Sequence, residues 1–258
     1  MTTFRIPEGS FLKPVDHKIF YSLFENEAIY DIRTRVGRRR SKEIYNLLEP
    51  HRKLFGNRAL DLACGAGLTS FVLEELGLDV TAVDIQESMI EKARLIAKER
   101  KSKVKFLVGD ILSLNIKDEF SSIFLLGNSI LHFNIKDFVK LVKNSKQWLS
   151  SQGVFVIEYQ DSLWKFCKGE FSILPYNIDR RKVSVSYNPI EGQINYDIQT
   201  RKLRDDLVEA IRYSLYIWTP WIISFILKNE NMYLILREAN PPNLYLEIWK
   251  KEASGGSY

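Results

Sequence analysis

The stretch Ala59-Leu60-Asp61-Leu62-Ala63-Cys64-Gly65-Ala66-Gly67, together with Val83-Asp84 and Gly109-Asp110 downstream, decides the fold. A short run, Ala59–Ala63, ends in a turn that carries two glycines. Glycine accepts backbone conformations closed to other residues and lets the chain come close to a ligand. Gly65 and Gly67 therefore read as a tight turn at the carboxyl end of a first strand, opening into an amphipathic helix over Leu68–Leu76. A second strand, Asp79–Val83, closes on Asp84, seventeen positions after Gly67. An acidic residue there stands where it accepts hydrogen bonds from both hydroxyls of a ribose.

Outward from this unit the alternation continues: helix Ser88–Lys98, strand Val104–Val108, strand Ser122–Leu126, helix Phe138–Leu149 and strand Gly153–Tyr159. Strands alternating with helices mark a parallel sheet covered on both faces. Gly77, Gly109 and Gly153 punctuate the units at turns and helix ends. Upstream, Ile44, Leu47 and Leu48 share one face of a helix. Beyond Tyr159, strands Val183–Tyr187, Gln193–Thr200 and Val208–Ile217 are joined by polar links and read as an antiparallel insertion. Helix Pro220–Lys228 and strands Tyr233–Leu236 and Leu244–Trp249 follow, the last two separated by Pro241-Pro242. The expected fold is α/β and Rossmann-like: a mostly parallel seven-stranded sheet, helices on both faces, and an antiparallel insertion after the fifth strand. Residues 1–57 form a helical segment over the ligand site, 58–161 with 219–252 the core, 162–218 the substrate-side insertion and 253–258 a disordered tail.

With 258 residues, 45% of them hydrophobic, the chain suits one elaborated α/β domain. No window approaches the roughly eighteen uninterrupted apolar residues of a membrane span. The opening MTTFRIPEGSF lacks the apolar core of a signal peptide, so a cytoplasmic location and no membrane partner are expected. Cys64 and Cys167, with three histidines, supply neither a disulfide framework nor a metal cluster, and no metal is expected. The net charge of +5 is uneven, because Arg33, Arg35, Arg38, Arg39, Arg40, Lys42, Arg52 and Lys53 crowd one region. Such a run either meets phosphate or is a solvated helix face.

A dinucleotide would seat its pyrophosphate on the helix N-terminus and ask for a third glycine, where this chain has Ser70. An adenosine without phosphate asks less of the loop, and S-adenosylmethionine, with its sulfonium and amino-acid tail, fits. Asp110 closes the third strand, either against the adenine amino group or as a turn-forming aspartate. Asp61 is either the partner of the tail's ammonium or an anchor of the loop. Cys64 has no base beside it and reads as a small packed residue.

The motifs LDLACGAG, VTAVD and VGDIL resemble those of class I S-adenosylmethionine-dependent methyltransferases. More narrowly, YDIRTR (Tyr30–Arg35), LLGNSILHF (Leu125–Phe133) and GVFVIEYQD (Gly153–Asp161) are similar to the glycine N-methyltransferase family and its small-amine relatives. The resemblance implies that Arg35, with Arg33 as substitute, binds the cofactor's carboxylate. It puts Ala63 and Gly65 against the methionine moiety, Asp84 on the ribose, Ile85 and Gln86 beside the adenosine, and Asp110 and Ile111 at the adenine. Leu126, Gly127 and Ser129 then line the reactive side, and Asn128 faces the acceptor. At Gln160 the glycine-methylating enzymes have an arginine that grips a carboxylate; a neutral amide cannot replace that contact, so the position does not support glycine as acceptor.

The activity expected is methyl transfer from S-adenosylmethionine to a small-molecule acceptor, an amine nitrogen first, releasing S-adenosylhomocysteine. Asn128 and Gln160 orient the acceptor, while His132 is either a general base or a structural histidine. Tyr213, Tyr216, Trp218 and Trp221 either close the site or pack the insertion. Two other readings stand: a tRNA or protein methyltransferase docking through the arginine-rich region, and a non-catalytic cofactor-binding module.

Overall fold

The computed structural model describes residues 30–168, 183–201, 208–240 and 243–252. The expectations for residues 1–29, for Pro241-Pro242 and for the 253–258 tail lie outside them, as does the side chain of Tyr213. The first helix, α1 (Arg35–Leu48), starts where Thr34 accepts the Gly37 amide at 2.9 Å and donates its hydroxyl to the Asp31 carbonyl at 2.9 Å. A Cβ on Gly37 would fall 1.9 Å from that carbonyl oxygen, so this close crossing demands glycine. Ile44 and Leu48, four residues apart, turn one face of α1 into the core.

A 3-10 turn, Glu49–Leu54, leads into β1 (Arg58–Leu62), α2 (Leu68–Glu75), β2 (Asp79–Asp84), α3 (Glu87–Arg100), β3 (Lys105–Val108) and β4 (Phe120–Leu125). Then come α4 (Ile135–Trp148), β5 (Leu149–Gln160), α5 (Ser162–Cys167), the strands β6 (Val183–Asn188), β7 (Gln193–Arg201) and β8 (Val208–Tyr216), α6 (Pro220–Asn229), β9 (Met232–Asn240) and β10 (Leu244–Lys251). The main sheet has seven strands in the order β3-β2-β1-β4-β5-β10-β9. β1 to β5 run parallel, and β10 is antiparallel to both its neighbours.

Apolar cores lie on both faces of the sheet. Leu60, Leu62, Ile123, Leu125, Phe155 and Ile157 pack with residues of α4 and α6, while Ala59, Ala82, Phe124, Val156 and Ile248 pack with residues of α1, α2 and α3. Burial on both faces is why these strands read as apolar runs rather than as alternation. β6-β7-β8 form a separate antiparallel sheet, and its Ile194, Tyr196 and Leu215 join the first core. Trp218 is core as well, 1% exposed, edge-on to Phe138 and donating its indole N–H to the Phe133 carbonyl at 3.1 Å. Of the other aromatic residues near it, Tyr216 packs against this core and Trp221 is exposed.

Several elements differ from the sequence reading, among them β9, which runs to Asn240 rather than Leu236, and the 3-10 turns Glu49–Leu54 and Ser129–His132. β5 begins at Leu149, because that residue pairs with Phe120 ahead of a register shift that passes over polar Ser150-Ser151-Gln152 before pairing resumes at Val154. The short helix α5 was not expected; it starts where the Asp161 carboxylate accepts the Leu163 and Trp164 amides at 3.0 and 3.3 Å. Among the described residues no helix is long and apolar enough to cross a membrane. From β1 the chain builds outward through β2 to β3, then returns to place β4 and β5 on the other side. The order therefore reverses between β1 and β4, which opens a crevice at their carboxyl ends.

Candidate functional site

The glycine turn fills one side of that crevice. Ala63, Gly65 and Gly67 all have left-handed backbones, with φ of 55°, 53° and 83°. At Gly67 a Cβ would lie 2.8 Å from the Phe106 ring, so conformation and space both require glycine. Ala63 has no such excuse, and for an L-residue its conformation costs about 1–2 kcal/mol. Asp84, at the end of β2, accepts the Gly65 amide at 2.8 Å and the Gln86 amide at 2.9 Å, one on each oxygen. It thus fastens the turn to the neighbouring strand, and each oxygen keeps a lone pair for a further donor. A helix-cap role does not suit it, since α3 begins at Glu87 and its N-cap is Gln86. Burial pushes the Asp84 carboxyl up.

Asp61 points from β1 beneath the turn and is 1% exposed. Its Oδ2 accepts the hydroxyls of Thr69 and Ser70, both at 2.6 Å, which anchors the first turn of α2. That bond explains the serine in the third position of the glycine pattern. Oδ1 is buried and has no hydrogen-bond partner. Burial pushes the carboxyl up to about 6, against the pull of the two hydroxyls, and the nearby Asp84 charge adds to the rise. Asp61 is therefore a loop anchor through one oxygen and an unsatisfied acceptor through the other. Cys64 beside it is buried, and burial raises its thiol, as suits a packed residue.

The other side of the crevice is the end of β4. Leu126 is buried, Gly127 and Asn128 are left-handed in succession (φ 71° and 62°), and a 3-10 turn, Ser129–His132, follows. The Gly127 amide donates to Glu158 Oε2 at 2.7 Å, the Gln160 amide donates to Asn128 Oδ1 at 3.0 Å, and the Ser129 hydroxyl donates to the Leu126 carbonyl at 2.8 Å. Asn128 thus commits its carbonyl to the end of β5 and keeps its NH₂. The fold brings Asn128, Gly127 and Gln160 together here, and Asp61, Gly65 and Asp84 on the β1–β2 side. His132 ends the 3-10 turn, partly buried.

Around Asp84, Ile85 is exposed, while Gln86 is buried with its Nε2 unpartnered. The exposed Asp110 shapes a turn, accepting the Leu112 amide at 2.9 Å and the Ser113 hydroxyl at 3.1 Å, and Ile111 is buried behind it. Arg33 is engaged: it forks onto Asp31 with bonds of 3.0 and 2.8 Å and reaches Glu99 at 3.1 Å. This contact holds the Asp31 carboxyl well below the usual range. Arg35, the first residue of α1, is exposed and makes no ion pair among the described residues.

The basic run is not a uniform solvated face. Arg52 donates to the carbonyls of Leu76, Gly56 and Gly77 at 2.5, 2.6 and 3.1 Å. Arg40 crosses from α1 to Glu158 at 2.5 Å, whose side chain is 2% exposed. Glu158 and Arg40 escaped the sequence reading, although one acid inside the apolar VFVIEY run was a signal. The same holds for Glu247, fully buried, which accepts Tyr159 Oη at 2.6 Å, Arg237 Nε at 2.7 Å and Trp249 Nε1 at 2.7 Å.

Comparison with known proteins finds a methyltransferase domain model matching residues 59–153. The chain is 27% identical over 179 residues to a glycine/sarcosine N-methyltransferase of Halorhodospira halochloris, covering 64% of this chain and 66% of that protein. It is 30% identical over 133 residues to a ubiquinone biosynthesis O-methyltransferase of Rickettsia akari (strain Hartford), covering 50% and 53%. These matches span between about half and just under two thirds of those relatives' lengths. A crystal structure of a protein from Pyrococcus horikoshii OT3 superposes with a TM-score of 0.73 at 27% identity, covering 91% of this chain and 99% of that one.

Proposed function

The chain belongs to the class I S-adenosylmethionine-dependent methyltransferases, and on that premise we propose that it methylates a small molecule, an amine nitrogen before an oxygen. The observation that carries this reading is Asp61. A buried carboxylate oxygen without a partner, next to a second buried acid and under a glycine turn, calls for a cationic ligand with hydroxyls. Neither Asp61 nor Asp84 makes an ion pair among the described residues. The residues present therefore fit S-adenosylmethionine: Asp61 for the ammonium, Asp84 for the ribose, Ile85 and Gln86 beside the adenosine, Asp110 and Ile111 at the adenine, Arg35 for the carboxylate.

When bound, the cofactor supplies a methyl group on a sulfonium that is already a good leaving group. The chain's task is to hold a nucleophile in line with it and to keep water out. Leu126, Ile130 and Leu131, all buried, form an apolar backing beside Asn128. The Asn128 NH₂ and the Gln160 amide orient the acceptor without charge. An amine that arrives as its ammonium ion must give up a proton before its lone pair can take the methyl group from sulfur, and His132 is the candidate to receive it. The engagement of Arg33, Arg40 and Arg52 within the fold supports a small acceptor over a nucleic acid. Two cysteines that form no disulfide, Cys64 and Cys167, support the cytoplasm as compartment.

The test is turnover of S-adenosylmethionine labelled in its methyl group against a panel of amines, phenols and tRNA. Label transfer to amines supports the reading; transfer only to phenols moves the acceptor to oxygen. Transfer only to tRNA, with steeply salt-dependent binding, would overturn it.

A further inference from the structure

We propose that Glu158 and Arg40 form a positioning pair that couples α1 to the Gly127-Asn128 turn, and so sets the cofactor side of the site against the acceptor side. The assignment of those two sides rests on the methyl-transfer reading. Glu158 takes one donor on each oxygen, from elements far apart in sequence: Arg40 Nη2 at 2.5 Å and the Gly127 amide at 2.7 Å. Successive residues of a strand face opposite ways, so Glu158 and Gln160 share a side of β5. Both hold the same turn, Glu158 through the Gly127 amide and Gln160 through Asn128 Oδ1.

Packing fixes Leu126 before the turn but leaves Gly127 itself open. A Cβ on Gly127 would meet nothing within 4 Å, and two consecutive left-handed residues leave the turn no regular ladder. Its position depends on these hydrogen bonds. Arg40 is the link to α1, five residues after Arg35, and its side chain is only 26% exposed. Its other acidic neighbour, Glu43, is 3.9 Å away, so the Glu158 contact is the tight one. Without Arg40, Glu158 becomes a buried charge lacking its counterion and is driven to rehydrate, drawing away from the Gly127 amide.

The experiment compares wild type, Arg40→Met, Arg40→Lys, Glu158→Gln and the Arg40→Met/Glu158→Gln double variant. Amide hydrogen exchange is followed without ligand, and S-adenosylhomocysteine affinity is measured by calorimetry. Among the described residues Arg40 makes no hydrogen bond to residues 126–129, yet Arg40→Met is expected to speed exchange there and to weaken S-adenosylhomocysteine about tenfold. Arg40→Lys restores most of both, and the double variant loses no more than the worse single one. A purely structural role lowers the melting temperature while leaving exchange at 126–129 as in wild type. That result, or additive losses in the double variant, overturns the coupling. If Arg40→Met does not fold, Arg40→Lys and Glu158→Gln decide by the same exchange readout. Failure of the wild type to bind S-adenosylhomocysteine would sink the methyl-transfer reading alone, since the exchange readout uses no ligand.

Discussion

Asp61→Asn sets stability against function. The Asp61 carboxyl is pushed by burial from 3.8 to about 6, so the folded protein binds this proton more tightly than the unfolded chain. The contribution of Asp61 to stability is therefore fully present below pH 4 and is lost as the pH rises to about 6. Above pH 6 the charged form costs about 3 kcal/mol, at about 1.4 kcal/mol for each unit of pKa. Asparagine removes that cost, in which the opposing pull of the Thr69 and Ser70 hydroxyls on the charged form is already counted. The ligand-free variant should thus be more stable than wild type by about 3 kcal/mol at pH 7.5, and the difference should vanish toward pH 4.

Affinity should move the other way. Loss of the charge facing the ligand should weaken S-adenosylmethionine by roughly 1.5–3 kcal/mol, ten- to a hundredfold. Wild-type affinity should fall below pH 6 as Asp61 takes up a proton, by up to about tenfold per pH unit, whereas the variant's should be nearly flat. Calorimetric titrations from pH 5 to 8, with urea melts of the ligand-free proteins, read both effects. Equal affinities at pH 7.5, or parallel pH profiles, would refute the assignment of Oδ1 to the ligand.

Asp84→Ala removes the acceptor for the Gly65 and Gln86 amides and, on the proposed assignment, for the ribose, so S-adenosylmethionine affinity should fall by roughly 1.5–3 kcal/mol by calorimetry. Arg35→Ala should weaken the same ligand, whereas Arg38→Ala/Arg39→Ala should not, since Arg39 is occupied with Glu43 on the helix surface; equal losses would mean the wrong arginine was chosen. Gln160→Arg should shift turnover toward carboxylate-bearing amines such as glycine and sarcosine, because a guanidinium pairs with a carboxylate in two-pronged fashion. Efficient turnover of glycine by the wild type would contradict the selectivity argued for the neutral amide.

What the sequence disclosed and what it hid divide by distance along the chain. The glycine turn, the acid after β2 and the helices between parallel strands are local patterns, and a short window holds each one. The antiparallel insertion was legible for the same reason, since its links are polar and its strands close in sequence. The pairing of Arg40 with Glu158 spans 118 positions, and no periodicity in α1 distinguishes Arg40 from Arg38 or Arg39. The double use of Asp61 and Asp84 was hidden too, because a spacing shows where a carboxylate lies but not how many donors surround it. Among the aromatic residues, alternation could not tell Trp218, at 1% exposed, from Trp221, at 69%.

The places where local rules are broken point to the same crevice. Among the described residues, four that are not glycine have left-handed backbones: Ala63, Lys101, Asn128 and Asn231. Lys101 and Asn231 follow α3 and α6, where a left-handed residue closes a helix and needs no other reason. Ala63 and Asn128 have no helix to close; they lie in the turns that follow β1 and β4, the two strands between which the sheet order reverses. The unsatisfied Asp61 oxygen and the acid in the apolar run of β5 lie at that same edge. Strain, an orphaned acceptor and a buried charge each cost free energy, and a stable core elsewhere offsets them. Their convergence on one strand edge is what marks it as a binding site, since a scaffold without a ligand to receive gains nothing from any of the three.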